Sequence, residues 1–157
     1  MEVLKHCISE KDFLRIEMTF DICFPWIYQN SINRANDGYF QFIHRFYNQR
    51  TGPSNFFGAL KPILDVLKPK TLFRVKANLL TKTDQIVEHG YHIDFIGKDC
   101  TTAILYVNTN NGYTKFENGT KIESERNKLV KFNSNMKHTG SSCTNKNYRI
   151  VVNFNYE

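Results

Sequence analysis

Residues 145–157, "NKNYRIVVNFNYE", read as a strand, and the parity of that strand decides the kind of sheet it belongs to. Successive side chains of a strand point to opposite faces. Tyr148, Ile150, Val152, Phe154 and Tyr156 therefore share one face, an apolar and aromatic row suited to lie under helices. Arg149, Val151 and Asn153 share the other, which predicts an arginine pointing into the interior of a barrel. Burying an unpaired guanidinium is unfavourable. Arg149 thus calls for an anion, and a carboxylate gripped in bidentate fashion suits it best.

The neighbouring sequence extends the pattern. From Thr71 onward "TLFRVKANLL", "YHIDFI", "TTAILYVN", "YTKFEN", "TKIES" and "KLVKFNS" are short, β-branched or aromatic, and set apart by turn residues. "NTNNGY" and "ENGTK" carry the Asn-Gly pair that favours tight hairpins. Up to about Leu67 the texture is helical: "YFQFIHRFYNQ" (39–49) and "NFFGALKPILDVL" (55–67) place apolar residues three and four apart. "TGPSN" breaks between them, with Ser54 or Asn55 as N-cap, and Pro69 stops the second helix. The expected class is mainly β (α+β), a double-stranded β-helix or jelly-roll barrel with supporting N-terminal helices. One domain is expected over 1–157, with 1–70 as helical support and 71–157 as the jelly-roll core.

The chain has 157 residues, 41% of them apolar, enough for a sizeable core. No apolar run approaches a membrane span, and the first residues lack the apolar middle of a signal peptide. Cys7, Cys23, Cys100 and Cys143 match no zinc or disulfide spacing, so reduced thiols and a cytoplasmic location are expected, with "NGT" at Asn118 a turn. The net charge of +6 is scattered rather than clustered, which favours a solvated surface over a nucleic-acid groove or a site for a small anion.

The chemistry concentrates in "HGYHIDF" (89–95). On a strand, His92 and Asp94 point to one side, Ile93 and Phe95 to the other. His138, in "NSNMKHTGSS", is the only histidine downstream of position 92. His92, Asp94 and His138 form a two-histidine, one-carboxylate set that leaves coordination positions open, the arrangement of non-haem Fe(II) oxygenases. His89 falls on the opposite face from His92 and is expected at the rim, His44 in a helix as a hydrogen-bonded packing residue, and His6 in a mobile end. Arg149 follows His138 by eleven residues.

HxD at 92–94, the distal His138 and the spaced Arg149 resemble the Fe(II)- and 2-oxoglutarate-dependent oxygenases, specifically the prolyl-4-hydroxylase-like group. "TTAILYVNTNNGYTKFENG" supports this, resembling the strand–hairpin–strand that follows HxD in that group. The resemblance covers roughly residues 71–157. It implies a hydroxylase that uses Fe(2+), 2-oxoglutarate and O2, with ascorbate as a stimulant, and releases succinate and CO2. It implies that Arg149 and Tyr106 hold the far carboxylate of 2-oxoglutarate and that Asn78 stands where many members carry a tyrosine near the metal. The family's Gly-Gly is reduced here to Gly112-Tyr113. A prolyl or other peptidyl side chain is favoured as substrate over a nucleic acid or a small molecule, with no membrane partner. A nucleic-acid oxygenase would use aromatic and basic rim residues such as Tyr39, Phe40 and Arg45 to Arg50. A non-catalytic cupin-like metal-binding barrel is the other alternative, and Arg149 argues against it. The polar stretches "LTKTDQIVEHG" (80–90) and "NTNNGYTKFENG" (108–119) are expected to flank the substrate's approach.

Overall fold

The structure is a computed structural model and describes residues 1–21, 23–94 and 100–157. Its larger antiparallel sheet runs in the order β1 (Glu2–Lys5), β9 (Lys128–Asn133), β6 (Thr101–Tyr106), β11 (Tyr148–Tyr156), β5 (Leu72–Thr81), β3 (Gln41–Asn48) and β2 (Ile27–Gln29). A short β4 (Gly52–Pro53) pairs with β3 alone. The smaller sheet is β10 (His138–Gly140), β7 (Tyr113–Phe116) and β8 (Lys121–Glu123). Helices α1 (Glu10–Thr19) and α2 (Lys61–Leu67) complete it, the second entered through a 3₁₀ turn at Phe57–Leu60. This is the expected jelly-roll.

The parity of β11 sorts the apolar residues into two cores. Ile150, Val152, Phe154 and Tyr156 join Phe13 and Ile16 of α1 and Ile63 and Leu67 of α2 in the layer beneath the helices. Val151 faces the other way and packs with Ile104, Tyr106, Val130, Phe132 and Phe116 between the sheets. Helix α1 starts where the sequence asks it to: the Ser9 hydroxyl accepts from the Asp12 amide, and Glu10 and Asp12 sit in the positive first turn. Arg126 fastens the helix to the sheet by a fork to Glu17, with a second contact to Glu10 and its guanidinium over the Phe13 ring. Helix α2 ends in a left-handed Lys68 immediately before Pro69.

Three expectations change. The stretch 39–49 is not a helix but contains strand β3. Its alternation is hidden because both faces are covered: Phe46 and His44 lie toward the helices, Gln41 and Ile43 toward the interior, and the register shifts between Arg45 and Tyr47. A strand buried on both sides loses its polar alternation, and its apolar residues then mimic helical spacing. Residues 91–94 form no strand; His92 makes a single bridge to His138, and Phe95 and Ile96 of the predicted strand lie outside the described residues. Of the two Asn-Gly turns, Asn118-Gly119 closes the β7–β8 hairpin with Gly119 at φ +87°, whereas Asn111-Gly112 lies where the chain crosses from one sheet to the other.

Asn118 sits in that turn, as expected, and all four cysteines are free. No helix among the described residues is long and apolar enough to cross a membrane.

Candidate metal centre and its cavity

The inward face of the larger sheet presents side chains in cross-strand rows. Arg74, Asn155, Thr102 and Phe132 form one row, and Lys76, Asn153, Ile104 and Val130 the next. Asn78, Val151 and Tyr106 follow, then Leu80 and Arg149. Between these rows and the smaller sheet lies a cavity of about 370 Å³ whose lining includes His92, Asp94 and His138 at one side and Arg149, Thr114 and His89 at the other.

His92 and His138 are placed by a backbone bridge, each amide donating to the other's carbonyl at 2.9 and 3.0 Å. Candidate ligand atoms of His92, Asp94 and His138 all lie within 4.8 Å of one another. His138 Nδ1 is 2.9 Å from the Met136 carbonyl, which can only accept, so Nδ1 carries a hydrogen and Nε2 is the ring nitrogen left to face a metal. Asp94 Oδ2 accepts from Thr102 Oγ1 at 2.7 Å and from Asn155 Nδ2 at 2.9 Å. The remaining oxygen, Oδ1, lies 4.0 Å from His92 Nε2, too far for a hydrogen bond, and 3.5 Å from an Arg74 nitrogen.

Burial raises the Asp94 pKa, but His138, the Thr102 hydroxyl, Arg74 and Asn155 outweigh it and hold the carboxyl below its ordinary value. Burial and the neighbouring His138 push His92 down, toward the neutral ring. Two imidazoles and one carboxylate, with His92 shifted toward its neutral form and Asp94 toward its ionised one, fit an Fe(II) ion.

Arg149 is 2% exposed. Its Nε donates to Ser124 Oγ at 2.8 Å and one terminal nitrogen reaches Thr114 Oγ1 at 3.4 Å. Among the described residues its hydrogen bonds thus end on hydroxyls, with no carboxylate to neutralise it. The other terminal nitrogen lies beside Gly140, two residues along β10 from His138. Gly112 is required beneath it: a Cβ there would stand 2.6 Å from both Arg149 Cδ and the Ser142 carbonyl.

Tyr106 is fully buried and does not line the cavity; its hydroxyl donates to Thr114 Oγ1 at 2.8 Å, and Thr114 is the hydroxyl on the wall. Burial pushes the Tyr106 phenol up to about 12, so it remains a donor. Asn78 lines the cavity, in register with Val151. His89, expected at the rim, is buried in the cavity wall with neither ring nitrogen hydrogen-bonded among the described residues, and burial together with Arg149 pushes its pKa down to about 4. His44 is the expected packing residue, hydrogen-bonded to Pro25 and Ser54, but in a strand.

Sequence reading missed Arg74, Lys76, Thr102, Thr114 and Asn155 at this site. The signal was available in "FRVKAN", where Arg74, Lys76 and Asn78 alternate with Val75 and Ala77 of the helix-side core. Gln29, Ile32, Asn33 and Gln41 also line the cavity, so the first seventy residues supply wall as well as support. Lys82, Asp84 and Gln85 of the expected approach loop do not line it.

No protein-family model and no curated protein matches the sequence. Solved structures do match. An oxidoreductase of the 2OG-Fe(II) oxygenase family from Burkholderia pseudomallei superposes with a TM-score of 0.70 at 11% identity, over 99% of this chain and 84% of that one. This is the fold of the 2-oxoglutarate–Fe(II) oxygenases. A prolyl hydroxylase from Trichoplax adhaerens, in complex with a hypoxia inducible factor peptide fragment, gives a TM-score of 0.69 at 12% identity, over 99% and 82% of the two chains. A Pseudomonas putida prolyl-4-hydroxylase gives 0.64 at 11% identity, over 99% and 91%. At such identities the likeness to these oxygenases is one of fold.

Proposed function

We propose that this protein is an Fe(II)- and 2-oxoglutarate-dependent dioxygenase that hydroxylates a C–H bond. The observation that carries the reading is Arg149: a buried guanidinium, hydrogen-bonded only to hydroxyls among the described residues, faces the cavity that also holds His92, Asp94 and His138. A dicarboxylate answers both ends of that cavity, one at the metal and one at the arginine. His92, Asp94 and His138 hold the iron. Thr102 and Asn155 fix the Asp94 carboxylate by its far oxygen, so that the near one faces the metal. Arg149 takes the distal carboxylate of 2-oxoglutarate, with Thr114 and Ser124 keeping the guanidinium in place and Tyr106 supporting Thr114 from behind. Asn78 lies on the wall between them. When bound, iron with 2-oxoglutarate and O2 supplies the oxidation, releasing succinate and CO2; the chain's work is to bind, orient and exclude competing reactions.

A peptidyl side chain, prolyl among them, is the favoured substrate, because the fold accommodates a peptide in the Trichoplax neighbour. Succinate release from 2-oxoglutarate, with and without ascorbate, tests the reading. Release should require Fe(II), vanish in His138→Ala, and demand at least about tenfold more 2-oxoglutarate in Arg149→Ala, the scale of a lost hydrogen bond to a charged group. Release that survives both substitutions would remove these residues from the reaction.

A further inference from the structure

Among the described residues, the cavity lining holds more positive charge than iron and 2-oxoglutarate use. Its lining includes Arg74, Lys76 and Arg149 against a single carboxylate, Asp94, a surplus of two positive charges among the described residues. A divalent ion and a dianionic cosubstrate add nothing to that balance. Pairing one carboxylate of 2-oxoglutarate with Arg149, and the other plus Asp94 with the ion, leaves Lys76 without a counter-charge among the described residues. Arg74 leans on Asp94 at 3.5 Å and on Asn155 at 2.9 Å.

Lys76 has no such support. It is half-buried on β5, in register with Asn153 on one side and Arg45 on the other, and no hydrogen bond or ion pair reaches its ammonium among the described residues. Burial and the nearby arginines push its pKa down to about 8. Opposite it, no hydrogen bond reaches the buried Asn153 amide oxygen among the described residues. Cations gathered on one wall of a concave site repel one another until an anion joins them.

We propose that the oxidised substrate carries an anionic group, a carboxylate or a phosphate, that docks on Lys76 with Arg74 beside it. The inference rests on the oxygenase reading of the same cavity and adds the class of substrate. It places the anion on the β5 wall, on the Arg74 side of Asn78 and away from Arg149.

The test uses the full chain loaded with Mn(II) in place of iron and saturated with 2-oxoglutarate. Methyl phosphate and acetate are titrated by calorimetry at constant ionic strength, with acetamide as the neutral control. At least one anion should bind with one site per chain, and which one binds identifies the source. Its affinity should fall at least about tenfold in Lys76→Met and return largely in Lys76→Arg. Binding of 2-oxoglutarate should change less than about threefold in both variants, which also shows that they fold. No saturable binding of either anion to the wild type overturns the proposal, as does equal binding to Lys76→Met. Loss of 2-oxoglutarate in Lys76→Met would assign the lysine to the cosubstrate instead. If the wild type binds no 2-oxoglutarate at all, the oxygenase reading itself fails, a result distinct from the others.

Discussion

Arg149 was legible as an interior cation from the parity of one strand, but what holds it was not. Ser124 and Thr114 come from segments 25 and 35 residues away, and Gly112 matters only because the chain crosses between sheets beneath the guanidinium. Gly112→Ala should therefore displace Arg149 and weaken 2-oxoglutarate at least about tenfold while the metal affinity stays, as competition with a chromophoric chelator will show. An unchanged cosubstrate affinity would mean that the arginine does not bind it. Asn155→Ala should do the reverse. It removes one of the two hydrogen bonds to Asp94 Oδ2 and should lower metal affinity by about 10- to 100-fold, the usual consequence of removing an outer hydrogen bond to a ligand. His89 titrates with a definite sign. Its folded pKa of about 4 lies below the ordinary value, so the unfolded chain takes the proton first as pH falls. The stability it contributes is full above about pH 6.5 and is lost toward pH 4, by up to about 1.4 kcal/mol per unit. Urea unfolding at pH 7 and pH 5 should show a smaller loss in His89→Phe than in the wild type; equal losses would place the imidazole in water.

Among the elements, a strand whose two buried faces differ in chemistry was readable and one with apolar residues on both faces was not. Strand β11 announced itself because its two faces differ in chemistry. Strand β3 did not, since Phe46 meets Phe20, Phe24 and His44 on the helix side while Gln41 and Ile43 meet the interior. Its strand assignment has an energetic consequence. Phe46 is fully buried in the helix-side core, whereas Arg45, next to it, is exposed. Phe46→Ala should cost about 3–5 kcal/mol by chemical denaturation, and Arg45→Ala within about 0.5 kcal/mol. Similar costs at both positions would contradict the alternation. The crossing from β6 to β7 was hidden for another reason: an Asn-Gly pair signals a turn but not which sheet the chain enters next.

For the molecule as a whole, the jelly-roll was legible because turn residues space its strands, and three candidate ligands were legible because suitable donors are scarce. The cavity was not, since its walls come from rows of residues that register only when β5, β11 and β6 pair, and from the first seventy residues, read as support. The central claim is that one cavity joins a metal triad to an arginine across the length of a dicarboxylate. Anaerobic titration of 2-oxoglutarate into the Fe(II)-loaded protein, followed by the metal-to-ligand absorption band, tests it most directly. The account predicts a saturable band with one cosubstrate per chain, absent in His138→Ala and shifted to at least about tenfold higher 2-oxoglutarate in Arg149→Ala with iron stoichiometry intact. A wild-type protein that binds iron but develops no band, or an Arg149→Ala variant that titrates like the wild type, would contradict it.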